Sequence, residues 1–172
     1  MEKTNLFSIR AAFAAGAAAC AILLGTGFYL QYVGGQDPCP LCLVQRGFYF
    51  GLLFVFAAGA IHGPKRIGSM IYGLLALLLA GGGGVTAARQ VWLQHLPADQ
   101  VPTCGPDLYY MLDHMPVAKI FTNLLRGSGE CAEVTWRFLG LSIAEWSLGW
   151  FVLFAAIALY ALARREAQSR SA

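Results

Sequence analysis

Cys39-Pro40-Leu41-Cys42 sets two thiols three positions apart, and Arg46 follows four positions after the second. On an α-helix of 3.6 residues per turn, both sulfurs and the guanidinium would share one face. Asp37 and Pro38 precede the pair as helix-starting residues, and Pro40 suits a first helical turn, so the thiols are expected at a helix N-terminus. Unpaired backbone N–H groups and the positive end of the helix dipole favour a thiolate there. This is a redox-site geometry, suited to thiol–disulfide exchange.

A second pair of cysteines, Cys104 and Cys131, lies far downstream. Between them Val117, Ile120, Phe121, Leu124 and Leu125 recur at helical spacing, with Lys119, Asn123 and Arg126 on the other face. Pro116 would start this helix and Gly127 would stop it. It is too short and too polar on one side to cross a membrane, so it is read as lying in the interface plane. Gly105-Pro106 and Gly127-Ser128-Gly129 flank it as hinges that would let the loop cysteines approach the first pair. The bland alternative is a structural disulfide that closes a loop. Four thiolates would also suit zinc, but a metal–thiolate cluster would sit beside the fixed cation Arg46 and leave the interfacial helix without purpose. No metal is expected. His95 has no second histidine at metal spacing, and no flavin or nicotinamide fingerprint is present. An electron acceptor must therefore come from the membrane or from solution.

The elements that position these residues belong in lipid. Of 172 residues, 58% are hydrophobic and only 12% charged, and mean hydropathy is +0.58. Four charge-poor segments, about 11–33, 41–63, 67–89 and 146–163, approach the roughly 20 residues that cross a hydrocarbon core. The expected fold is an all-α membrane protein, an antiparallel bundle of four transmembrane helices in one integral membrane domain over 1–172. Outer loops would cover about 34–40 and 90–145, the second holding the short amphipathic interfacial helix. Lys3, Arg10, Lys65, Arg66, Arg164, Arg165 and Arg170 fall on one side, which the positive-inside rule makes cytoplasmic, with both termini. The cysteine pairs then face the other compartment, the oxidising periplasm if the chain is bacterial.

Some features carry less. Ala17-Ala18-Ala19-Cys20 resembles a lipoprotein cleavage site, but the apolar run continues to Tyr32, so Cys20 is read as a small buried hydrophobe in mid-membrane. Gly81-Gly82-Gly83-Gly84 in the third span is read as a site of close packing.

The ordered set, namely four spans, a CxxC followed by Arg46 at the start of the second, and an outer cysteine pair flanking an amphipathic segment, resembles the disulfide bond formation protein B family, DsbB. Gly129-Glu130-Cys131-Ala132-Glu133, then Trp136, Phe138-Leu139-Gly140-Leu141 and Trp146, strengthens the resemblance. It covers nearly the whole chain apart from the termini. The resemblance implies a quinone-dependent protein-dithiol oxidase of the bacterial inner membrane. In such a protein a loop disulfide, Cys104–Cys131, is attacked by a reduced periplasmic thioredoxin-fold oxidase of the DsbA type. Cys104 would carry the mixed disulfide, Cys131 would be released towards Cys39, and Cys42 of the Cys39–Cys42 pair would contact ubiquinone or menaquinone. Arg46 would favour the quinone as it becomes negative, since a guanidinium keeps its charge when partly desolvated. Arg46 could instead be an interfacial snorkelling residue. Partners implied are the DsbA-type oxidase, the quinone pool and the bilayer, with no nucleic acid. Two other readings stay open: a vitamin K epoxide reductase-like enzyme, whose family carries its CxxC late in the chain, and a non-enzymatic cysteine-stabilised or metal-binding membrane protein.

Overall fold

The protein is described here from a computed structural model covering residues 9–63, 66–97, 99–102, 108–116, 119–120, 122–123, 127 and 129–170, with the side chains of 66, 108–109, 112 and 164–170 left aside. Four long helices dominate: α1 (Ile9–Tyr32), α2 (Pro40–His62), α3 (Arg66–Gln94) and α6 (Ile143–Arg170). The stretches Ile9–Tyr32, Pro40–His62, Ile67–Gln94 and Ile143–Ala163 are each long and apolar enough to cross a membrane. At 1.5 Å per residue they reach beyond the ~30 Å hydrocarbon core. The chain is a multi-pass membrane protein built as an all-α four-helix bundle.

Helix α3 packs most extensively against α6, α1 against α2, and α2 against α3, whereas α1 and α6 touch little. The core between them is aromatic on small residues. Phe13 and Phe56 lie 5.8 Å apart, Phe56 and Phe154 5.7 Å, and Tyr49 stacks on Phe151 at 4.5 Å. These rings fit because glycines face them. A Cβ on Gly82 would come within 2.7 Å of the Phe48 ring, and one on Gly83 would overlap the Phe151 ring. The glycine run of α3 is thus a packing site, and aromatic rings occupy the space its missing side chains leave. Cys20 is fully buried in this core, in a cluster separate from that of Cys39 and Cys131. Ile22, Phe54, Leu78, Val85 and Val152 are exposed on the outer faces, as lipid contact requires.

Three boundaries differ from the sequence expectation. The cap of α2 is Cys39 itself, in extended conformation with its sulfur accepting the Cys42 N–H at 3.4 Å, so Asp37 and Pro38 lie outside the helix. Helix α3 runs five residues past Arg89, because Arg89 lays its guanidinium 4.1 Å over the Trp92 ring and extends the apolar surface by one more turn. Helix α6 starts at Ile143 rather than Trp146, because Ser142 and Glu145 form a capping box. The Glu145 carboxylate accepts the Ser142 N–H at 2.6 Å, and the Ser142 hydroxyl accepts the Glu145 N–H at 3.3 Å.

Between α3 and α6 lie short helices α4 (Leu108–His114) and α5 (Gly129–Ala132) and a hairpin of β1 (Arg137–Phe138) with β2 (Leu141–Ser142). Arg137 pairs with Ser142 and Phe138 with Leu141, and the two turn residues Leu139 and Gly140 both have positive φ, 53° and 83°. A two-residue turn of that hand matches strand twist, and Gly140 adopts it at no steric cost. The hairpin is pinned to the bundle by Ser142 Oγ donating to Gln94 Oε1 at 2.8 Å and Trp146 Nε1 donating to the Phe138 carbonyl at 3.0 Å. Cys104 and most apolar positions of the expected interfacial helix, Val117, Phe121, Leu124 and Leu125, lie outside the described residues. Within that segment Lys119 N–H and Ile120 N–H donate to the Pro116 carbonyl, and Ile120 is buried.

Candidate redox site

The N-terminus of α2 and the C-terminal end of α3 meet at one end of the bundle, and α5 closes over them. Cys39, Leu41, Leu93 and Cys131 form a separate buried cluster there, with Cys42, Leu96 and Ala132 packed against it. Cys39 and Cys42 Sγ lie 2.8 Å apart, in contact but beyond the ~2.05 Å of a covalent disulfide. Cys131 is 1% exposed, and its sulfur hydrogen-bonds with the Cys39 thiol. Cys39 therefore touches Cys42 on one side and Cys131 on the other. Its thiol is held well above the ordinary range, first by its hydrogen bond with the Cys131 sulfur, then by that with the Cys42 sulfur, and then by burial.

The polar groups facing these sulfurs come from helix interiors. Gln90 of α3, 4% exposed, donates its side-chain N–H to Cys42 Sγ at 3.2 Å and to Cys39 Sγ at 3.4 Å. Gln45 of α2, also 4% exposed, donates to Gln90 Oε1 at 2.7 Å. The Cys42 thiol approaches the same oxygen at 3.7 Å. Sequence reasoning passed over both glutamines. A buried amide inside a membrane helix is costly and marks function, and Gln45 falls on the Cys42 face, which was the signal available.

Arg46 sits one turn beyond Cys42, as the spacing predicts, but its hydrogen bonds go to α1. It donates to Gln31 Oε1 and to the Gly27 carbonyl at 2.9 Å, and its guanidinium lies 5.1 Å from the Phe28 ring centroid. A Cβ at Gly27 would meet that guanidinium in ordinary van der Waals contact, at 3.5 Å. The helix-start N–H likewise points at Cys39 rather than Cys42. The donors expected to act on Cys42 are therefore replaced by Gln90. His95 bonds back to the Val91 carbonyl of its own helix at 2.8 Å and stays exposed.

A cavity of about 300 Å³ opens beside Cys42. Its walls include Cys39, Cys42, Gln45, Arg46, Gln90 and Tyr49, with Trp136, Trp146 and Trp150 on the hairpin and α6 side. With aromatic walls, the Arg46 cation and the Cys39 and Cys42 sulfurs, the lining fits a flat, largely apolar ring with polar oxygen at its edge, and the carboxylates Asp37, Glu130 and Glu133 also line the cavity.

The arrangement matches known proteins along most of its length. The family model described as "Disulfide bond formation protein DsbB" matches residues 9–161. The chain is 50% identical over 147 residues to "Disulfide bond formation protein B" of Hahella chejuensis, covering 86% of this chain and 89% of that protein. It is 47% identical over 146 residues to the protein of that name from Marinobacter nauticus, with 85% and 87% covered. Against the one from Stutzerimonas stutzeri it is 44% identical over 162 residues, 94% of this chain and 99% of that protein. The matched stretch opens on the first residue of α1 and closes near the end of the fourth span, so every element that builds the cysteine cluster lies within it, and the chain belongs to the DsbB family.

Proposed function

We propose that the chain reoxidises a periplasmic DsbA-type dithiol oxidase and delivers the two electrons, through Cys104–Cys131 and then Cys39–Cys42, to ubiquinone or menaquinone in the membrane. The observation that carries this reading is Cys39, placed in contact with Cys131 from the loop and with Cys42 at the cavity.

In the first exchange a thiolate of the reduced partner attacks Cys104, breaking the Cys104–Cys131 bond and expelling Cys131 as a thiolate. The partner's second thiol then displaces Cys104 and leaves with its own disulfide. Cys131, already seated against Cys39, attacks that sulfur and expels Cys42 as a thiolate. Attack at Cys39 rather than Cys42 follows from contact, since Cys39 is the sulfur that Cys131 touches. Cys104 next attacks Cys131, restoring the loop disulfide and leaving Cys39 and Cys42 reduced. A quinone held in the cavity would supply a two-electron, two-proton acceptor, with Cys42, Arg46, Gln90 and Tyr49 lining its site. Cys42 presents its sulfur to that cavity, and Arg46, anchored by Gln31 and Gly27, holds a fixed positive charge at its wall. Tyr49 and the tryptophans give the cavity aromatic walls. The site lies in the inner membrane with both termini cytoplasmic and the cysteine pairs periplasmic.

The test is anaerobic quinone reduction by purified protein in detergent, with a reduced thioredoxin-fold oxidase as donor. One quinone should disappear per partner dithiol oxidised. Cys42→Ser should reduce no quinone yet still trap the partner on Cys104; equal turnover by this variant and the wild type would overturn the reading.

A further inference from the structure

The Gln45–Gln90 pair is the one buried polar feature at the cluster that the exchange sequence above leaves without a role. Both amides are 4% exposed at the meeting of two membrane helices, where an unpaired polar group costs several kcal/mol by order of magnitude. Their hydrogen bonds are ordered in one sense. The Gln45 amide nitrogen donates to Gln90 Oε1 at 2.7 Å, which turns the Gln90 NH₂ to the sulfurs, while the Cys42 thiol also approaches that oxygen at 3.7 Å. That NH₂ lies 3.2 Å from Cys42 and 3.4 Å from Cys39, within reach of both without a shift. Apart from the Cys39 thiol, whose sulfur lies 2.8 Å away, Gln90 is the neutral side-chain donor that reaches Cys42 among the described residues, and Arg46 is committed to α1.

We propose that Gln90 is a catalytic amide donor that favours the reduced form of the Cys39–Cys42 couple, and that Gln45 is the positioning residue that keeps it turned towards the sulfurs. The proposal rests on the reading that Cys39 and Cys42 form a redox couple. Reducing their disulfide adds two electrons, breaks the S–S bond and, with one proton taken up, leaves one thiol and one thiolate. A neutral N–H donor binds a thiolate far better than a disulfide sulfur, so it stabilises the product of reduction selectively. An amide does this without adding a charge that the low-dielectric bundle would have to compensate. Selective stabilisation of the reduced form makes the couple more oxidising, which drives electron uptake from the loop pair.

The test measures the Cys39–Cys42 equilibrium in full-length, quinone-stripped protein carrying Cys104→Ser and Cys131→Ser, poised in thiol–disulfide buffers and trapped by alkylation. Gln90→Met keeps the side-chain volume and removes the donor; the equilibrium should move about tenfold towards the disulfide, about 30 mV more reducing. Gln45→Met leaves Gln90 in place but free to turn, and should move it in the same direction by about threefold. Because Gln45 acts through Gln90, the double variant should match Gln90→Met alone. An unchanged equilibrium in Gln90→Met, or additive effects in the double variant, would overturn the proposal while the redox couple stands. Failure of the parent protein to form a Cys39–Cys42 disulfide in any buffer would overturn the couple and this inference together. If Gln90→Met does not yield folded protein, the milder Gln45→Met decides, an unchanged equilibrium again counting against.

Discussion

At the scale of single residues, the sulfurs differ in what surrounds them, and that difference orders their reactivity. Cys39 is 9% exposed and its thiol is held above the ordinary value of about 8.5 by the two sulfurs it touches and by burial. A raised value keeps it protonated, hence unreactive, at about pH 8. In reduced, folded protein Cys39 should therefore resist iodoacetamide at that pH and become reactive on denaturation, as peptide mass spectrometry would report. Arg46 offers a second residue-scale expectation. Arg46→Ala removes the fixed charge at the cavity wall together with two anchors to α1, and should lower the quinone step by roughly 10²-fold. Exchange between the cysteine pairs should persist, since neither Cys39 nor Cys131 bonds to Arg46. Unchanged quinone kinetics would return Arg46 to a snorkelling role. The placement of Cys39, Cys42 and Arg46 at the start of one helix was legible because residue type and helical spacing determine which face they occupy. Gln90 was not, since its importance depends on where α3 ends and on which residues of α2 it meets, and neither is a property of one segment.

Elements succeed or fail here by how closely their backbones approach. The Phe151 ring lies where a Gly83 side chain would be, so Gly83→Leu would force α3 and α6 apart. Overpacking of this kind typically costs about 1–3 kcal/mol, and thermal unfolding in detergent should show a clear fall in Tm. Ser142→Ala removes the hydroxyl half of the α6 capping box and its bond to Gln94. A lost cap costs about 1 kcal/mol; a smaller effect would mean that the hairpin alone holds the start of α6. The four spans could be read from hydropathy because lipid imposes length and apolarity on any crossing helix. The β1–β2 hairpin escaped that reading: two-residue strands carry no periodicity, and Leu139, an unfavourable residue for positive φ, disguises the turn. The ends of α3 and α6 escaped it too, because an arginine lying over tryptophan and a capping box extend helices past the last apolar window.

For the whole molecule, the bundle converts a chain of local features into a path with two ends. On the proposed reading the loop cysteines meet the partner and the cavity holds the quinone, and Cys39, in contact with Cys131 and Cys42, is the point that joins the two. Removing Cys131 cuts the path before that point. Cys131→Ser should leave Cys104 without an internal partner, so a disulfide-linked complex with the soluble oxidase should accumulate, visible as a non-reducing gel band. The overall architecture followed from the sequence because each span specifies itself. The seating of Cys131 against Cys39 did not, because it depends on how α5 packs on Leu41 and Leu93 across the fold. Burial of that junction has a consequence for electrical leakage. Cys131 is 1% exposed and Cys39 9%, so on the proposed reading small dissolved thiols such as glutathione should react slowly at this junction. Such a junction would be insulated by the apolar packing, Leu41 and Leu93, that seats Cys131 against the bundle.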